Sequence, residues 1–62
     1  MTVCTETIEF KLAAKEVRKL ELQGFGYYQC VQSAMRLVVS QGFSEAYAQE
    51  VAEEAWDLVC AS

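Results

Sequence analysis

Leu37-Val38-Val39-Ser40-Gln41-Gly42-Phe43-Ser44-Glu45-Ala46 is the stretch that decides the fold. An apolar run closes on Gly42, the residue type that most readily takes the left-handed conformation ending a helix. Two residues later Ser44 offers a side-chain oxygen to cap a new helix, and Glu45 falls in its first turn beside the positive end of the helix dipole. Phe43 stands where a hydrophobic staple would sit, although the residue it would pack on, Ala48, is small. A link as short as Gly42-Phe43 favours antiparallel packing of the flanking helices. The chain therefore reads as all-α: a small helical hairpin or three-helix bundle with antiparallel second and third segments.

Upstream of the turn, Tyr27, Val31, Ala34, Met35 and Val38 share one helical face, with Tyr28, Cys30, Leu37 and Val39 to either side. Arg36 is the only charge of this segment. A helix apolar over so much of its circumference belongs in the middle of a bundle or in an oligomer interface. Downstream, Ala48, Val51, Ala52, Ala55, Leu58 and Val59 make a buried face, and Glu50, Glu53, Glu54 and Asp57 an acidic one opposite. Gly24 and Gly26 separate the second segment from a first, in which Phe10, Ala13, Ala14, Val17 and Leu20 share a face that Ile8 and Leu12 widen. Thr5 or Thr7 can cap it. Residues 3–10 are rich in Val, Thr and Ile, which suits a strand, but from Ile8 onward the periodicity is helical. The expected helices span about 5–23, 26–41 and 44–60 in a single domain covering residues 1–62.

A chain of 62 residues buries only about 60% of its unfolded surface and is thinly stabilised. Its hydrophobic fraction, 53%, excludes disorder and leaves apolar surface that one copy does not fully hide. The net charge of −4 is unsuited to neutralising phosphates, so neither nucleic acid nor an anionic membrane surface is an expected partner. No stretch approaches the roughly 18 apolar residues of a membrane-spanning helix. Residues 1–10 carry Glu6 and Glu9 and lack the basic start and apolar core of a secretory leader, so a cytoplasmic location is expected.

Cys4, Cys30 and Cys60 are odd in number and widely spaced, with no CxxC and no histidine anywhere in the chain. They read as reduced cysteines acting as small hydrophobes. The sharper alternative is an intermolecular disulfide through Cys4 or Cys60. Enzyme chemistry has no foothold. Ser33, Ser40 and Ser44 have no histidine to activate them, and Gly24-Phe25-Gly26 is too short for a dinucleotide fingerprint. Catalytic, metal and cofactor sites are all expected to be absent.

The charge layout is the most informative pattern. The third segment holds Glu45, Glu50, Glu53, Glu54 and Asp57 and no base; the first holds Lys11, Lys15, Arg18 and Lys19 against Glu6, Glu9, Glu16 and Glu21. The plain reading is solvated surface, each pair contributing about 0–1 kcal/mol. Alternatively the stripes meet, within one chain or between two copies, or the acidic face engages a basic host protein. Tyr28, Leu37 and Trp56 lie beside the buried stripes and are the candidate partner contacts, because Tyr and Trp concentrate binding energy.

From Met1-Thr2-Val3-Cys4 through Ala55-Trp56-Asp57-Leu58, the chain resembles the small orphan proteins that lambdoid temperate phages encode between their exonuclease and excisionase genes. The likeness is one of size, helicity and wording and carries no functional residue. It implies a non-enzymatic early protein that affects the host cell cycle or the balance between lysis and lysogeny. The residues themselves support a protein–protein interaction module, whose partner is a host factor or a second copy. The alternative is a structural homo-oligomer packing through its apolar second helix.

Overall fold

The computed structural model describes residues 6–61. They form three helices, α1 (Ile8–Leu22), α2 (Tyr27–Val39) and α3 (Glu45–Ala61), each packed on both others in a bundle of 28 × 21 × 16 Å. Thr5 and Cys4 lie outside the described residues.

Each boundary has a local cause. Thr7, extended at φ −73° and ψ 154°, accepts a hydrogen bond from the Phe10 amide at 3.3 Å and so caps α1. At the other end Gly24 takes φ +95°, and the Phe25 amide bonds back to the Leu20 carbonyl at 3.1 Å while that of Gly24 bonds to Glu21 at 3.0 Å. This pair of bonds is the Schellman closure that satisfies orphan carbonyls. Gly42 takes φ +100° after α2, and Ser44 caps α3 by accepting from the Tyr47 amide at 3.3 Å. Phe43 does precede the cap, but its ring packs on Tyr47, with centroids 5.2 Å apart, instead of reaching the short Ala48 side chain.

Gly42 supplies a test of this turn. A β-carbon placed there meets nothing within 4 Å, so the cost of a side chain is purely conformational. Gly42→Val should destabilise the fold by about 1–3 kcal/mol, and thermal unfolding followed by circular dichroism should move down by roughly 4 °C or more. Gly42→Asn should lose visibly less, because Asn visits positive φ. Equal losses would place the cause elsewhere than in the left-handed backbone.

Directions follow from end-to-end contacts. Tyr27, at the start of α2, meets Trp56 and Glu53, late in α3, whereas Glu9 and Tyr47, both in first turns, meet each other. Helix α2 is thus antiparallel to α3, and α1 runs parallel to α3. The core contains Phe10, Ala13 and Val17 of α1, Cys30, Val31, Ala34 and Val38 of α2, and Ala48, Val51, Ala52 and Ala55 of α3.

Several positions differ from the helical-face reading. Cys30, placed beside the main stripe of α2, is fully buried, and Tyr27, placed within that stripe, is half exposed. Leu58, expected on the buried face of α3, is 50% exposed. Ile8 and Leu12 do not widen the buried face of α1; both project outward, Ile8 at 71% exposure. The helix α2 rolls its small residues, Cys30 and Ala34, against its neighbours and leaves the bulky Tyr27 ring at the edge. Small side chains let helices approach closely, and that gain outweighs burying one ring.

Candidate interaction surfaces

Antiparallel packing of α2 against α3 leaves an open groove along their outer junction. Tyr28, Gln32, Met35 and Val39 recur along α2 at spacings of four, three and four, so one flank of that helix faces the groove throughout. Two hollows, of about 160 and 330 Å³, share Gln32 and Met35 and together run from Tyr27 to Ser40. A helix segment of that length spans about 20 Å. Met35 is half buried against the core, Val39 is exposed, and Tyr28 stands out at 72% exposure.

The opposite rim belongs to α3 and is acidic. Glu45 borders the wider hollow, which Arg36 of α2 also lines, and Gln49 and Glu53 border the narrower one. Glu53 is half buried and held in place: its Oε2 accepts from Gln49 Nε2 at 3.1 Å and from the Tyr27 hydroxyl at 3.4 Å. Tyr27 in turn sets its ring edge-on to Trp56, centroids 5.4 Å apart at 84°. Partial burial, and then the Glu53 carboxylate, raise the Tyr27 phenol above its ordinary range, so it stays a neutral donor.

The expected contact residues part company here. Tyr28 lies in the groove. Trp56 is half buried and borders neither hollow; it reaches the groove only through its edge-on contact with the Tyr27 ring. Leu37 borders neither hollow; its carbonyl accepts from Ser40 Oγ at 2.7 Å and Gln41 Nε2 at 3.3 Å, finishing the last turn of α2. The acidic face divides as well: Glu50, Glu54 and Asp57 are exposed, whereas Glu53 turns to the groove. Among the described residues no cluster of His, Cys, Asp or Glu could hold a metal.

No family model, curated protein or solved structure matches the chain. A third hollow, about 270 Å³, lies between α1 and α3, lined by Phe10, Ala14 and Leu58 and edged by Lys11, Lys15 and Arg18. The hollow on the α1 side of α3 is thus edged by cations alone, whereas on the α2 side α3 contributes Glu45 and Glu53 and α2 contributes Arg36. Sequence periodicity did not reveal Met35, Glu45 and Gln49 as groove residues. The signal lay in the repeat of Tyr28, Met35 and Val39 on one side of α2, and in Glu45, Gln49 and Glu53 at every fourth residue of α3.

At the foot of the bundle the Tyr47 hydroxyl donates to Glu9 Oε2 at 2.6 Å and ties α3 to α1. That hydrogen bond, followed by the Glu9 backbone amide, holds the Glu9 carboxyl below its ordinary value. A depressed carboxylate pKa adds stability that is complete above the unfolded value, about 4.3, and is lost as pH falls through the folded value. Tyr47→Phe should therefore lower the melting temperature at neutral pH, and the gap to the parent should narrow under acid. A gap that stays constant down to strongly acidic pH would show that the lost hydroxyl acted through something other than the Glu9 carboxylate. No helix of the described residues is long and apolar enough to cross a membrane.

Proposed function

We propose that this chain is a small, non-enzymatic protein–protein interaction module of the cytoplasm, and that its α2–α3 groove receives an amphipathic helix from a protein partner. The observation that carries the reading is the row of Tyr28, Met35 and Val39, interrupted by Gln32, beside the α3 carboxylates Glu45 and Glu53, which outnumber the one cation of the groove, Arg36. Helix-in-groove recognition needs such a row for apolar anchors one and two turns apart. The rim selects a helix edged with Lys or Arg and disfavours an acidic one. Taken with the resemblance to the orphan exo–xis proteins, the module is an early phage protein whose host partner belongs to cell-cycle control or to the choice between lysis and lysogeny.

The single tryptophan, Trp56, packs edge-on against Tyr27, which lines the groove, and so offers a fluorescent reporter one contact away. Titration with a synthetic amphipathic helix bearing a lysine edge should perturb Trp56 emission. Tyr28→Ala should weaken that binding by about tenfold or more, the scale of a central aromatic anchor, and leave the helical spectrum intact. Equal affinity for a glutamate-edged helix of the same apolar pattern would overturn the proposal. A homo-oligomer built on α2 is the second reading. It too would use this groove, since Cys30, Val31, Ala34 and Val38 are spent on the core.

A further inference from the structure

The groove calls for a helix with an apolar and cationic face, and the chain carries one. The outward side of α1 exposes Lys11, Lys15 and Lys19 at every fourth residue, with Ile8, Leu12 and Leu22 beside them, the last at 79% exposure. Its acids lie off this face: Glu9 and Glu16 are half buried on the other flank, Glu9 is engaged by Tyr47, and Glu21, though exposed, falls two residues past Lys19 and outside the four-residue lysine series. Across the groove, Glu45, Gln49 and Glu53 repeat at the same four-residue interval. Each series spans two turns, about 12 Å, so one helix laid along the other aligns both outer lysines with both glutamates.

The geometry points to head-to-tail self-association, in which the outward face of α1 in one copy enters the α2–α3 groove of a second copy. Lysine stems lie along Met35 and Val39 while their ammonium groups reach the rim, the way long cationic side chains cover apolar surface. Ile8, Leu12 and Leu22 supply the apolar anchors that the floor requires. One chain's α1 faces solvent and so cannot fill its own groove. The contact is heterologous, and each added copy leaves one free α1 and one free groove. This inference rests on the groove reading and adds its occupant.

Two variants at exposed positions separate the possibilities. Lys15→Glu with Lys19→Glu disables the α1 face and keeps the groove; Tyr28→Ser with Val39→Ser disables the groove and keeps α1. Circular dichroism verifies that both remain folded, and Lys15→Gln with Lys19→Gln replaces the first if charge reversal unfolds it. In light scattering at low salt the parent chain should rise above its 7.0 kDa mass as concentration increases. Each variant alone should stay at that mass, and an equal mixture should stop at a heterodimer of twice the mass. A parent chain that remains monomeric up to millimolar concentration overturns self-association. So do variants that associate as the parent does, and a mixture that fails to pair would mean a symmetric contact instead. Binding of the lysine-edged peptide to the Lys15→Glu, Lys19→Glu variant tests the groove by itself, so loss of self-association and loss of the groove reading are told apart.

Discussion

Phe10→Ala should unfold the chain at ambient temperature. Phe10 is the largest fully buried side chain, and it lies among a core whose other members are valines, a cysteine and alanines. Truncating a buried Phe costs about 3–5 kcal/mol through lost transfer energy and the cavity left behind. Against that, 62 residues support a total stability of only about 3–9 kcal/mol. The helical signal at 222 nm (far-ultraviolet circular dichroism) should collapse or melt near room temperature. Phe25→Ala, at a ring 44% exposed in the first turn region, should keep most of the parent's stability. If Phe10→Ala and Phe25→Ala melt alike, Phe10 is not the centre of the core.

The second large effect goes the other way in volume. Ala52 has no exposed surface and sits where α3 meets the core. Ala52→Leu forces three further heavy atoms into a close-packed junction, which costs about 1–3 kcal/mol through displaced helices and off-rotamer side chains. That is a large share of the margin just given. Ala46→Leu, one helix turn and a half away on the exposed side of α3, adds the same atoms to solvent and should be close to neutral. Paired urea titrations of the two variants check this. Similar midpoints would mean that the helices slide apart without penalty at Ala52.

The turns were legible because their chemistry is local. Gly24 and Gly42 sit at positive φ, and Thr7 and Ser44 accept from amides three residues on, as their types and positions imply. The helix count and the antiparallel pairing follow from those four residues. What periodicity could not supply is the width of each buried arc, which depends on what the neighbouring helix offers. Leu58 continues the apolar series of α3, yet the hollow it borders against α1 is left open between Phe10, the short Ala14 and three cations, and Leu58 stays 50% exposed. Periodicity alone puts Cys30 beside the stripe of Tyr27, Val31, Ala34, Met35 and Val38, whereas close approach of helices favours the smaller side chain in the core. The groove needs two helices at once: neither Tyr28, Met35 and Val39 nor Glu45, Gln49 and Glu53 mark a site until the Gly42 turn brings them alongside.

The alanine-rich core has a calorimetric consequence. Among the described residues five of the eleven buried hydrophobics are alanines, so unfolding hydrates little apolar surface per residue. Heat-capacity increments track that surface, and an ordinary chain of 62 residues would show roughly 0.7–0.9 kcal/mol/K; this one should fall at or below the lower figure. With an unfolding enthalpy of only about 40 kcal/mol expected for the length, the transition is broad and the stability curve shallow. Such a protein loses its fold gradually on warming and keeps a near-constant margin in the cold, so temperature is a weak lever on it and occupancy of its surfaces a strong one.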